Sequence, residues 1–159
     1  MCGIVGYIGN KPVYDILITG LKKLEYRGYD SAGVMIYDKS LLIKKSKGKV
    51  ADLESLFVND QDKKGSIGMG HTRWATHGAP NQINSHPHVS NSGEISLVHN
   101  GIIENYHSLK SVLLKKGYVF KSDTDSEVLV NLIEDVKKTK KIKLGKATYF
   151  ALKQVVGAY

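Results

Sequence analysis

The chain has 159 residues, room for one domain-sized core, and its 42% hydrophobic and 24% charged residues are those of an ordinary globular protein. No run approaches the roughly eighteen apolar residues of a membrane span, and Lys11, Pro12 and Asp15 interrupt any signal-peptide core. A net charge of +8 accompanies a single cysteine, which excludes an internal disulfide framework or a cysteine-only zinc cluster and points to the cytosol.

Residues 3–9 (GIVGYIG) read as a short buried strand. Asn10 and Pro12 then open a helix whose apolar face is Val13, Ile16, Leu17, Leu21 and Leu24. Residues 34–37 and 41–45 read as two strands about the Asp38-Lys39-Ser40 turn. A short helix is expected over 50–57 and a polar loop over 59–65. Strands are expected at 66–70 and 95–99. The stretch 76–93 between them, rich in Asn, Ser, His, Pro and Gly, has the length of a functional loop. Helices follow over 105–116 and 124–138, the second opening on Thr124-Asp125-Ser126-Glu127, a capping-box pattern. A last helix is expected over 146–156, ending at Gly157. No internal repeat and no domain boundary stands out. The order of elements predicts an α+β sandwich rather than a regular βα alternation.

The 23 cations include only two Arg, Arg27 and Arg73. Nucleic-acid readers favour Arg with interleaved aromatics. The densest basic run, 137–146, holds six Lys and no aromatic, so it reads as a solvated helix end, and neither a nucleic acid nor a membrane is an expected partner.

Cys2 directly follows Met1. As a lone cysteine it fits a small buried hydrophobe. By position it also fits a terminal nucleophile: removal of Met1 would leave thiol and free amine on one residue, and a terminal amine titrates near 7.7–8.0, basic enough to act at neutral pH. Position alone leaves the two readings level.

The segment GHTRWATHG gathers Arg73, the sole Trp (Trp74) and two His behind a strand. The plain reading is a core Trp beside a surface Arg. The functional one is a bidentate carboxylate site, which Lys does not reproduce. Arg27 invites the same argument more weakly, since Glu25 or Asp30 offers it a partner. Asn100-Gly101 is first of all a hairpin-turn pair; functionally it is an amide beside an unhindered N–H, the makings of an oxyanion hole. His86-Pro87-His88 lacks a third ligand at useful spacing for a metal. Asp125 is a first-turn acid favoured by the helix dipole.

MCGIVGYIG, LEYRGYDSAG, GHTRWATHG, SHPHV, VHNGIIENY and TDSE occur in this order. Together they resemble the class II glutamine amidotransferases, specifically the N-terminal glutaminase domain of the glucosamine-6-phosphate synthase (glutamine–fructose-6-phosphate aminotransferase, isomerizing) family. The resemblance covers nearly the whole chain. It implies an N-terminal-nucleophile (Ntn) hydrolase fold, an αββα sandwich incomplete at its C-terminal end, with residues 1–159 a partial glutaminase domain and the sugar-isomerase domains absent.

By the same resemblance Cys2 matches the nucleophile that forms a γ-glutamyl thioester and releases ammonia, with its amine as base. Asn100 and Gly101 match the oxyanion hole, Arg73 the clamp on the substrate α-carboxylate, and Asp125 the partner of its α-ammonium group. Trp74, Thr76 and His77 match the loop that closes over glutamine, and Arg27 a supporting residue. No metal or organic cofactor is required. The implied setting is cytoplasmic amino-sugar (hexosamine) biosynthesis, in a homo-oligomeric full-length enzyme whose isomerase domain takes fructose 6-phosphate as acceptor. The alternatives are another class II amidotransferase or an inactive glutaminase-like fragment.

Overall fold

The computed structural model describes residues 2–74, 79 and 81–159. The chain divides into two compact units, Met1–Pro87 and His88–Tyr159, although its composition shows no boundary there.

The first unit is built on an antiparallel sheet of β1 (Gly3–Ile8), β2 (Ser31–Tyr37), β3 (Leu41–Lys47) and β4 (Ile67–Arg73), in the order β1-β4-β2-β3. Alternation along β1 turns Val5 and Tyr7 toward helix α1 (Val13–Leu24) and leaves Ile4 and Ile8 exposed. The helix buries Val13, Leu17, Ile18 and Leu21. Ile16 and Leu24, expected on that face, are only half-buried. Pro12 gives the helix no side-chain cap, and the carbonyl of Gly65 accepts the Val13 N–H at 2.9 Å instead. Asp15 in the first turn and Lys22 and Lys23 in the last complement the helix dipole. Helix α2 (Val50–Glu54) adds Val50 and Leu53 to the same core. Fully buried side chains such as Leu17, Leu21, Ile36 and Leu53 each contribute about 1.5–3 kcal/mol of transfer free energy.

Strand β4 outruns its expected end at residue 70 and continues through His71, Thr72 and Arg73. It is an inner strand, paired with β1 on one side and β2 on the other. Main-chain pairing on both flanks holds it extended whatever its side chains are. The polar loop expected over 59–65 holds one 3-10 turn, Asp60–Lys63.

The second unit centres on α4 (Asp125–Lys140), whose Val128, Leu129, Val130, Leu132, Ile133 and Val136 are all buried. Helices α3 (Tyr106–Lys115) and α5 (Leu144–Leu152) pack on it. Thr124 caps α4 by accepting the Glu127 N–H, but the expected reciprocal bond is replaced. The Glu127 carboxylate reaches further back, to the N–H groups of Lys121 (2.9 Å) and Ser122 (2.7 Å). The strand expected over 95–99 contracts to β6 (Ser96–Leu97), because its partner β5 (His88–Val89) offers only two residues. The last helix leaves off at Leu152 rather than 156, so that β8 (Gly157–Ala158) pairs with β7 (Ile102–Ile103). Among the described residues no helix is long and apolar enough to cross a membrane.

Candidate active site

In the first unit the antiparallel register that sets Gly3 against Thr72 carries Cys2 to the Arg73–Trp74 end of β4. The half-buried Cys2 Sγ accepts the Trp74 N–H at 3.3 Å and donates to the Trp74 carbonyl at 3.7 Å. The sole cysteine is thus held by the main chain of the residue that follows Arg73. The plain reading of this segment is inverted: Arg73 is buried and Trp74 is 46% exposed. Arg73 Nη1 donates to the Ala79 carbonyl at 3.3 Å. The Trp74 ring meets Tyr29 edge-on, with centroids 5.3 Å apart. Thr76 and His77 lie outside the described residues.

Arg27 ends a 3-10 turn, Glu25–Arg27, directly before Gly28 and is half-buried. Gly28 escaped the sequence reading as a separate feature. A Cβ on it would stand 2.8 Å from the Arg73 carbonyl carbon and 3.0 Å from the Trp74 nitrogen, so the RGYD segment presses against the residues that hold the sulfur. Asp30 adds an N–H bond to the Arg73 carbonyl at 3.2 Å.

His71 and Arg73, two positions apart, share one face of β4. His71 stacks on His86 with centroids 4.3 Å apart and an interplanar angle of 15°, both rings buried. The described part of the expected loop is pinned to the sheet by Lys45. Its Nζ donates to the carbonyls of Ile83 (3.2 Å) and Ser85 (2.7 Å), and its carbonyl accepts from Gln82 (2.8 Å).

In the second unit Asn100-Gly101 is not a hairpin turn. β6 before it and β7 after it belong to different sheets, and neither residue has the positive φ that a type I′ turn needs. Both are exposed. Gly101 sits against the Ala158 carbonyl, where any Cβ would collide with that oxygen and crowd His99 Nε2. His99 bridges Ser126 Oγ and the Ala158 carbonyl, each at 3.1 Å. Asp125 is buried, and its Oδ2 accepts the Ile103 N–H at 2.7 Å. The start of β7 and the first turn of α4 therefore bring Asn100, Gly101 and Asp125 into one neighbourhood. His88 bonds Thr124 Oγ1 at 2.9 Å, while His86 stacks on His71.

A family profile described as a glutamine amidotransferase domain matches residues 51–150, more than half of the chain. The chain is 58% identical over 161 aligned positions to the glutamine–fructose-6-phosphate aminotransferase (isomerizing) of Bacteroides thetaiotaomicron, covering 100% of this chain and 26% of that protein. It is 55% identical over 136 positions to the enzyme of the same name from Pyrococcus horikoshii, covering 85% and 23%. The chain thus spans about a quarter of the length of these relatives. Among solved structures it superposes on the glutamine phosphoribosylpyrophosphate amidotransferase of B. subtilis with a TM-score of 0.82 and 29% identity, over 100% of this chain and 34% of that one. An allosteric regulatory enzyme of purine biosynthesis matches with a TM-score of 0.83 and 30% identity. The expected α+β fold of Ntn type is the fold this chain has. On the profile match and these likenesses, the chain belongs to the glutamine amidotransferase domain family.

Proposed function

We propose that this chain hydrolyses glutamine to glutamate and ammonia, as part of the glutaminase domain of a cytoplasmic, homo-oligomeric glutamine–fructose-6-phosphate aminotransferase. The observation that carries the reading is the sole cysteine at position 2, its sulfur held by the main chain of Trp74 next to the buried Arg73. The acceptor reading, fructose 6-phosphate on a sugar-isomerase domain of the full-length enzyme, is supported by 58% identity to a relative of that name, against 29% to the phosphoribosylpyrophosphate enzyme.

In this reading the free amine of Cys2, with Met1 removed, takes the thiol proton, and the sulfur attacks the side-chain carbonyl carbon of glutamine. Asn100 and the Gly101 N–H stabilise the oxyanion, an effect of about 3–4 kcal/mol per donor. The C–N bond breaks, ammonia leaves with the proton, and water hydrolyses the thioester to glutamate and the regenerated thiol. Arg73 holds the α-carboxylate bidentately and Asp125 the α-ammonium. Trp74, Thr76 and His77 cover the substrate, and Arg27 supports the site. The reaction needs no metal or organic cofactor.

Ammonia release from glutamine by the purified chain, with Cys2→Ala beside it, tests the proposal. Release that stops with Cys2→Ala is expected; release that survives the substitution overturns it.

A further inference from the structure

The peptide group joining Arg73 to Trp74 is held from three sides. Its carbonyl accepts the Asp30 N–H at 3.2 Å. Its N–H donates to Cys2 Sγ at 3.3 Å. Gly28 lies against its face, where an added Cβ would come within 2.8 Å of the carbonyl carbon and 3.0 Å of both the oxygen and the Trp74 nitrogen. Those neighbours are backbone atoms, which do not swing aside as a flexible side chain does. Gly28 has φ −174°, an extended conformation open to any residue, so the restriction comes from contact and not from backbone conformation. The turn that presents Gly28 is itself anchored: its N–H bonds the Glu25 carbonyl at 3.0 Å, and the Asp30 carbonyl accepts the Gly48 N–H at 2.8 Å.

We infer that Gly28 and the Asp30 N–H form a positioning clamp for the nucleophile, fixing the Arg73–Trp74 peptide plane so that its N–H faces Cys2 Sγ. The inference rests on the reading of Cys2 as nucleophile only for its catalytic consequence. The clamp itself is a matter of one rigid plane carrying two hydrogen bonds. Because the plane cannot twist internally, a change at its sulfur end is felt at its Asp30 end. A Cβ at position 28 tilts the plane, turns the N–H off the sulfur and lengthens the Asp30 bond. Neither Gly28 nor Asp30 touches substrate in this scheme; both act through the plane.

The test uses the isotope-labelled full chain and iodoacetamide as the thiol probe. Alkylation of Cys2 is expected to shift the backbone amide resonances of Trp74 and Asp30 together in the wild type, and Gly28→Ala is expected to break that pairing. A wild type in which Trp74 moves and Asp30 does not overturns the clamp, as does a folded Gly28→Ala chain whose two amides respond as in the wild type. If Gly28→Ala does not fold, the paired shift in the wild type decides alone. Where glutaminase activity is measurable, Gly28→Ala should lower kcat by at least roughly tenfold while KM for glutamine changes by less than about threefold. An unchanged kcat counts against the clamp. A wild type that shows the paired shift yet releases no ammonia sinks the glutaminase reading and leaves the clamp standing.

Discussion

Asp125 receives the Ile103 N–H on its carboxylate at 2.7 Å, so one side chain ties β7 to the first turn of α4. The bond occupies Oδ2. Asn at this position keeps an oxygen for Ile103 and loses the charge. Asp125→Asn should therefore melt close to the wild type but bind glutamine at least about tenfold more weakly, since a charge-assisted bond to the ammonium is worth roughly 1.5–3 kcal/mol. Asp125→Ala also strands the Ile103 N–H and should cost about 1–3 kcal/mol of stability. Melting curves and glutamine titration separate the two effects, and equal glutamine binding by Asp125→Asn and wild type would refute the ammonium assignment.

Arg73 is buried beside the Cys2 thiol's anchor, in a chain whose other cations are almost all Lys. A lysine there keeps the charge and loses the planar fork. Arg73→Lys should leave the fold intact and reduce kcat/KM for glutamine at least about tenfold. Unaltered kinetics would remove Arg73 from the carboxylate site.

Glu134 carries a pH dependence of stability. Burial alone pushes its carboxyl up, but the Lys138 ammonium, Ser90 and the Ser92 N–H (3.2 Å) bond it and hold its pKa below the ordinary carboxylate value. A pKa lower in the folded state means that the folded state favours the ionised form. The stabilisation is therefore complete above the unfolded-state pKa and is lost as pH falls through the folded value. Glu134→Leu should flatten this acid limb, lying below about pH 4.5, and cost about 1–3 kcal/mol at neutral pH by stranding the Ser92 N–H. Denaturant melts across acid pH check it; an unchanged acid limb would remove Glu134 from the account.

What the sequence made legible is what local pattern controls. The four-residue spacing of Val13, Leu17 and Leu21 set the buried face of α1, and Thr124 marked the start of α4. What it concealed depends on partners far along the chain. His71-Thr72-Arg73 carries no strand signal of its own and is extended because β1 and β2 flank it. Asn100-Gly101 has the local signature of a hairpin, but its neighbouring strands pair elsewhere, with β5 and β8. Around the candidate site, Cys2, Arg73 and Trp74 stood out by residue type and position. Gly28 did not, because its importance is a missing atom beside a peptide 45 positions away, between Arg73 and Trp74.

The sheet face away from α1 shows apolar side chains. The register lines Ile8, Ile67, Tyr37 and Leu41 in one row across all four strands, with Ile8 79% exposed, and β1 is an edge strand. An exposed edge beside an apolar row invites pairing between copies. The isolated chain should self-associate with rising concentration in sedimentation velocity, and Ile8→Lys should shift it toward monomer. A wild type that stays monomeric at every concentration would contradict this.

In the proposed mechanism the Cys2 amine is the base. Should Met1 be retained, the nitrogen of Cys2 is an amide, without useful basicity, and the thiol loses its base while keeping its bonds to Trp74. The defect then falls on the chemical step and not only on binding. An intact-mass measurement of active protein should show the loss of one methionine. A diazoketone analogue of glutamine should label Cys2 only in that processed form. Protein engineered to keep Met1 should fold, as judged by its melting curve, yet remain unlabelled and inactive. Equal labelling and equal turnover in the two forms would mean that the Cys2 amine is not the base, and would return Cys2 to the other reading of its position, an ordinary thiol near the terminus.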